Sequence, residues 1–182
     1  MGTPTNGLAV GTTTHTATIA DNDDPPVVTF TAVSQSNAEP VGTQTITVVL
    51  NTASGLPVTV PFTVAGSATS TVDYTITASP VVIAAGATTT VITITVVNDT
   101  LNENPETVIV TMGTLTNGTK GATTVHTATI TDDDTIPTVA WTAALQASGN
   151  ESGTMLVTAQ LSAASGLDVT VPFVVSGSAT TT

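Results

Sequence analysis

Residues 89–97 read TTVITITVV, and the apolar side chains alternate along them: Ile92, Ile94 and Val96 point one way, Thr93 and Thr95 the other. A period of two is the signature of a half-buried β-strand, because successive side chains of a strand leave opposite faces. The same alternation spreads outward in both directions. Towards the N-terminus, Val58, Val60, Phe62 and Val64 alternate in PVTVPFTV (57–64), and Ile46, Val48 and Leu50 in TQTITVVL (43–50). Towards the C-terminus, Val108, Val110 and Met112 alternate in ETVIVTM (106–112), and Ala128 and Ile130 in HTATIT (126–131). VVTFTA (27–32) and DYTIT running into PVVI (73–83) complete a set of about seven strands, punctuated by NTASG, ASP, AAG and TNGTKG. No stretch places apolar residues at helical spacing over a useful length. Seven alternating strands in about 110 residues predict an all-β fold, an immunoglobulin-like seven-stranded antiparallel β-sandwich.

The pattern also recurs. THTATIADND (14–23) returns as VHTATITDDD (125–134), and SGLPVTVPFTVAGSAT (54–69) as SGLDVTVPFVVSGSAT (165–180). Both pairs are offset by 111 residues, and residues 112–182 laid on 1–71 without a gap share 39 identities. A period of this length is a domain rather than a solenoid unit. The expected organisation is tandem: 1–24 the C-terminal end of one repeat, 25–134 a complete repeat, and 135–182 the N-terminal part of a third.

Composition removes several functions. The 182 residues carry thirteen acids and a single base, Lys120, for a net charge of −12. One lysine cannot neutralise a run of phosphates, which argues against nucleic acid and against anionic membrane surfaces. No apolar run is long enough to cross a bilayer as a helix, and MGTPTNGLAV (1–10) lacks the basic and apolar regions of a signal peptide. With no cysteine there is neither a disulfide nor a thiolate metal site. Only five aromatics are present, so Val, Ile, Leu and Ala must build the interior, while 44 threonines suit the solvent faces of strands. No serine–histidine–acid set or phosphate loop is present, and an enzyme is not expected. His15 and His126 share parity with Ile19 and Ile130 and read as strand residues near the core edge; Trp141, equivalent to Phe30, reads as core. Asn98, Asn117 and Asn150 each begin an Asn-x-Ser/Thr triplet, a pattern common by chance in so threonine-rich a chain.

The acids are segregated. In the complete repeat they are Glu39, Asp73, Asp99, Glu103, Glu106, Asp132, Asp133 and Asp134, each at a strand end or in a loop. The loop at 98–105 and the end of the last strand share one end of a sandwich, so these carboxylates should converge. At ~5 Å each like-charged pair costs about 3 kcal/mol at an effective dielectric near 20. A hard divalent cation with oxygen ligands answers that repulsion, and calcium accepts a flexible cluster more readily than magnesium. A solvated acidic rim without an ion is the alternative.

GSATSTVDYTITASPVVIAAGATTTVITITVVNDTLNENPETVIVTM (66–112), closing with ATITDDD (128–134), resembles the Calx-β domain. Members of that family carry an Asp-Tyr pair, an acidic loop followed by Glu-x-x-Glu, and a terminal Asp-Asp-Asp. The resemblance implies calcium (Ca2+) ligands at Glu39, at Asp73 of the Asp-Tyr pair, at Asp99, at Glu103 and Glu106 of the Glu-x-x-Glu, and at Asp132, Asp133 and Asp134. Asn98 and Thr100 flank Asp99 where the fullest members have aspartates, and Asn98 still offers a neutral oxygen. Asp21 and Asp23 hold the same places at the end of the preceding repeat, and Glu151 matches Glu39 in the following one.

The function expected from these residues is a calcium-binding structural segment of a secreted, microbial cell-surface protein: an adhesin, stalk or filament. Its partners are the neighbouring repeats of the same chain and, through self-assembly, other copies. The short proline-containing junctions Asp24-Pro25-Pro26 and Thr135-Ile136-Pro137 already limit hinge motion. Calcium at that end should stiffen them, and alanine at Asp133 or Glu106 should remove most of the calcium-dependent stability. A regulatory calcium sensor and a metal-free spacer are the alternatives.

Overall fold

A computed structural model describes residues 1–147, 149 and 153–178. Thirteen strands follow one another: β1 (Val27–Phe30), β2 (Ser34–Ala38), β3 (Thr43–Leu50), β4 (Val58–Val60), β5 (Phe62–Ala65), β6 (Tyr74–Ile76), β7 (Val81–Ile83), β8 (Thr89–Val96), β9 (Glu106–Met112), β10 (Thr119–Lys120), β11 (Val125–Thr131), β12 (Val139–Trp141) and β13 (Ala159–Leu161). Strands β1 to β11 build a sandwich. One sheet runs β10-β1-β3-β8-β6, the other β2-β11-β9-β5, and β4 pairs with β7 beside them.

The alternation read from the sequence is the alternation of burial. Ile92 and Ile94 of β8 are fully enclosed, as are Ile46 and Val48 of β3, with Ile46 directly opposite Ile92 across the sheet. Val108, Val110 and Met112 of β9 and Ile130 of β11 join the same core from the second sheet, with Phe30 of β1 and Val58 and Val60 of β4. Each enclosed side chain of this size contributes about 2 kcal/mol by leaving water, and burial of one face alone fixes the register of these strands, since a slip of one residue would turn the core face outward.

Two of the seven expected strands, 57–64 and 73–83, are split, the latter into β6, which pairs with β8, and β7, which pairs with β4. The first, 27–32, ends at Phe30, and the chain runs on into β2, a strand the sequence pattern does not predict. It crosses from one sheet to the other at residues 31–33. There the Phe30 N–H donates to the Thr123 carbonyl (2.8 Å) and the Thr127 N–H to the Val33 carbonyl (2.9 Å). His126 is buried at the crossing; its Nδ1–H donates to the Ala32 carbonyl (2.8 Å) and its ring meets Phe30 edge-on. The third expected strand breaks at Pro61, which has no N–H to give a ladder; β4 before it pairs with β7, and β5 after it pairs with β9. The sandwich is also not wholly antiparallel. β1 runs parallel to β10, and β2 parallel to β11.

The flanking segments depart from expectation. Among the described residues no strand precedes Val27, and His15 and Ile19 are exposed, Ile19 at 96%. Their expected place at a core edge holds for His126 and Ile130 alone, because residues 1–24 have no paired strand to lie against. Trp141, expected in a core, is 49% exposed on the two-stranded β12–β13 sheet, over which no second sheet closes. Residues 150–152, including Glu151, lie outside the described residues.

Candidate metal centre

The acidic end of the sandwich is assembled from three separate parts of the chain. Glu39 opens a 3₁₀ turn, Glu39–Val41, between β2 and β3, with Pro40 in its first turn, and is only 7% exposed. Asp99 follows β8, its Oδ1 accepting the Leu101 N–H (2.7 Å), the short-range bond that holds an aspartate-led turn. Asp134 follows the end of β11. One carboxylate oxygen from each of Glu39, Asp99 and Asp134 lies within 4.8 Å of the other two. The Asp99 N–H also donates to Glu39 Oε2 at 3.4 Å.

Their electrostatics are those of crowded acids. Burial pushes the Glu39 carboxyl above the usual range, against the lowering pull of the Asp99 N–H, and the charges of Asp99, Asp132 and Asp134 push it further. Asp134 is raised as well, by desolvation and then by Asp132, Asp133 and Asp99. Asp134 Oδ2 is shut off from solvent and has no hydrogen-bond partner among the described residues. An orphaned carboxylate oxygen in such a place is costly unless a cation or a proton meets it.

A second pair adjoins the first group. Glu106, at the start of β9, is pushed up to about 7 by burial, then by a hydrogen bond with Asp73 and by the charges of Asp73, Glu103 and Glu39. Asp73 is delivered there by the loop Gly66–Asp73. Gly66 adopts φ +130°, and a Cβ on it would overlap the Thr107 carbonyl. That close approach lets Ser67 and Thr107 exchange bonds: Thr107 N–H to Ser67 Oγ (2.9 Å) and Ser67 N–H to Thr107 Oγ1 (3.3 Å). Asp73 then closes the loop by accepting the Thr69 N–H through Oδ2. Glu103, half-buried between the two groups, is raised by burial first and then by the charges of Asp99, Asp73, Asp132 and Asp134.

The remaining expected ligands are placed differently. Asp132 points into a hydrogen bond, its Oδ2 accepting from Asn102 Nδ2 (2.9 Å) and its Oδ1 from the Asp134 N–H (3.3 Å). Asp133, beyond the end of β11, is exposed. Asn98 is exposed and Asn98 Nδ2 reaches only the Asp99 carbonyl (3.5 Å). Asp21 and Asp23 are exposed on the N-terminal segment, bonded to each other, and stand outside the three-carboxylate group. Asn102 is the residue the sequence reading passed over. It carries no charge and belongs to no motif, and only the fold puts it against Asp132.

The lone base does not relieve this charge. Lys120 donates through Nζ to the Met112 carbonyl (2.6 Å), at the opposite end of β9 from Glu106. Six residues of strand separate the two, about 20 Å.

The chain belongs to the Calx-beta domain family, whose profile matches residues 21–134. Among solved structures it is similar to the apo form of the Calx CBD1 domain, at 18% identity and a TM-score of 0.55, over 61% of this chain and 100% of that one. It is also similar to the calcium binding domain CBD12 of CALX1.1, at 21% identity and a TM-score of 0.54, over 64% of this chain and 48% of that one. The Calx CBD2 domain matches at 15% identity and a TM-score of 0.53, over 59% and 86% of the two chains. At these identities the likeness is one of fold. No curated protein matches the chain. Among the described residues no helix is long and apolar enough to cross a membrane.

Proposed function

We propose that this chain is a calcium-binding structural segment of an extracellular adhesin, stalk or filament, made of tandem modules divided at 1–24, 25–134 and 135–182, whose junctions calcium stiffens. The observation that carries the reading is the meeting of one carboxylate oxygen from each of Glu39, Asp99 and Asp134, beside which Asp134 Oδ2 has no hydrogen-bond partner among the described residues. The donor set fits the ion. All three are hard carboxylate oxygens, with no thiolate or imidazole among them. The three oxygens lie within 4.8 Å of one another, a separation that ligands at calcium's 2.3–2.6 Å can span.

Glu39, Asp99 and Asp134 would hold the ion, with Asp73, Glu103, Glu106 and Asp132 available beside them. Asn98, Asp133, Asp21 and Asp23 are peripheral in this reading. The ion supplies positive charge where the fold has gathered negative charge, and so stabilises the folded end against fraying. Because Asp134 is three residues from Pro137, that stabilisation reaches the junction with the next module.

Small-angle scattering with and without chelator tests the role. The reading expects a longer maximum dimension in calcium, and an unchanged dimension in a chain that binds calcium would remove the stiffening while leaving the site.

A further inference from the structure

The turn Ser165-Gly166-Leu167 lies against the acidic end of the sandwich. The Gly166 N–H donates to the Asn102 carbonyl (3.2 Å), Ser165 Oγ reaches the same carbonyl (3.5 Å), and Asn102 and Ser165 form a parallel bridge. A Cβ at 166 would collide with the Glu103 carboxylate. Only glycine lets that side chain stay where it is.

The same tripeptide occurs as Ser54-Gly55-Leu56, and the two turns are built alike: Ser54 Oγ accepts the Leu56 N–H at 3.1 Å, and Ser165 Oγ the Leu167 N–H at 3.1 Å. Nothing lies within 4 Å of a Cβ at Gly55, and its φ is not one that demands glycine. Leu56 is 59% exposed where Leu167 is 39% exposed. Within its own module Gly55 thus has no steric reason to be glycine. At Gly166 the equivalent atom lies against the Glu103 side chain of a neighbouring module's loop. The two surfaces also stand at opposite ends of the sandwich: Glu39 precedes β3, Gly55 follows it, and β3 is eight residues long, about 26 Å.

We infer that the Ser-Gly-Leu turn is a docking element for the Asn102–Glu103 loop, and that the free copy at Ser54–Leu56 takes that loop from a second copy of this module. Different patches meet at opposite poles, so the contact is head-to-tail, a heterologous geometry that can add one module after another. The inference rests on the tandem reading above and needs no calcium, since its hydrogen bonds run to backbone.

The absence of cysteine makes cross-linking a clean test. In one chain Glu103→Cys with Gly166→Cys serves as the internal reference and should oxidise within the monomer. In a second, Gly166→Pro removes the N–H that donates to the Asn102 carbonyl and so frees the loop, and Glu103→Cys is combined with Gly55→Cys. In a third, Gly55→Cys is replaced by Thr114→Cys, exposed at the same pole. The inference expects a ladder of reducible oligomers from the second chain, several times more abundant than from the third, in chelator as in calcium. Equal ladders, or none from the second chain while the reference pair closes, would overturn it. Calcium binding by the unsubstituted chain is measured separately by calorimetry, so the two readings fail independently.

Discussion

The Asp99 N–H points at Glu39 Oε2 across 3.4 Å, joining residues sixty positions apart. That bond holds two carboxylates at a separation their charges oppose, and Asp134 stands within the same 4.8 Å group. The sandwich therefore spends stability on this end in the absence of a cation.

Neutralising one of these acids should separate the two states of the protein. Glu39→Gln keeps an acceptor for the Asp99 N–H but removes a buried charge. We expect it to stabilise the calcium-free protein by about 1–2 kcal/mol, roughly 5–15 °C in Tm. In saturating calcium the same variant should lose most of the ion's stabilisation, which for the unsubstituted chain is about 2.7 kcal/mol at a hundredfold excess over Kd. Thermal melts with and without chelator check both directions.

Asp133→Asn supplies the contrast. Asp133 is exposed, and surface substitutions of this kind fall within about 0.5 kcal/mol. Its melting temperature should follow the unsubstituted chain in chelator and in calcium alike, which reverses the equal weight the sequence alone assigned to it.

Stability should fall with rising pH when no calcium is present. Glu106 titrates near 4.5 in the unfolded chain and is pushed up to about 7 in the fold. Between those values the folded state binds more protons than the unfolded state, so stability declines across the window and the loss is complete above it. Glu39, Glu103 and Asp134 are raised in the same direction. Calcium needs ionised carboxylates, so its stabilisation should grow over the same window. Melts from pH 4.5 to 7.5 should slope downward in chelator and flatten or rise in calcium.

Gly66→Ala tests the loop that delivers Asp73. With φ at +130° and the Thr107 carbonyl where the methyl would go, the substitution should cost about 2–4 kcal/mol. Because Asp73 would move away from Glu106, the pH dependence should also shrink. A conventional destabilised core variant such as Ile92→Ala should keep it.

The sandwich was legible in the sequence because burial of one face writes itself as alternation: Ile92 and Ile94 announced β8, and Ile46 and Val48 its partner. The splits were not. Pro61 lies inside an unbroken run of alternating residues, and the crossing at 31–33 depends on His126 reaching Ala32 from ninety-four residues away. The acidic end was legible as composition, since thirteen acids and one base must be segregated somewhere. Which acids meet was not, because Asp132, Asp133 and Asp134 are neighbours in sequence that the turn beyond β11 sets in different surroundings, its Asp134 N–H bonded to Asp132 Oδ1. Asn102 could not have been singled out by any local pattern.

The central claim is that calcium sits among Glu39, Asp99 and Asp134, and the direct measurement is anomalous diffraction from crystals grown in calcium. The account predicts a peak with at least one oxygen of each of the three carboxylates at about 2.3–2.6 Å, and Asp134 Oδ2 no longer without a partner. Calcium-saturated crystals with no peak at that end of the sandwich, or with the ion bound only by exposed acids such as Asp133, would contradict it.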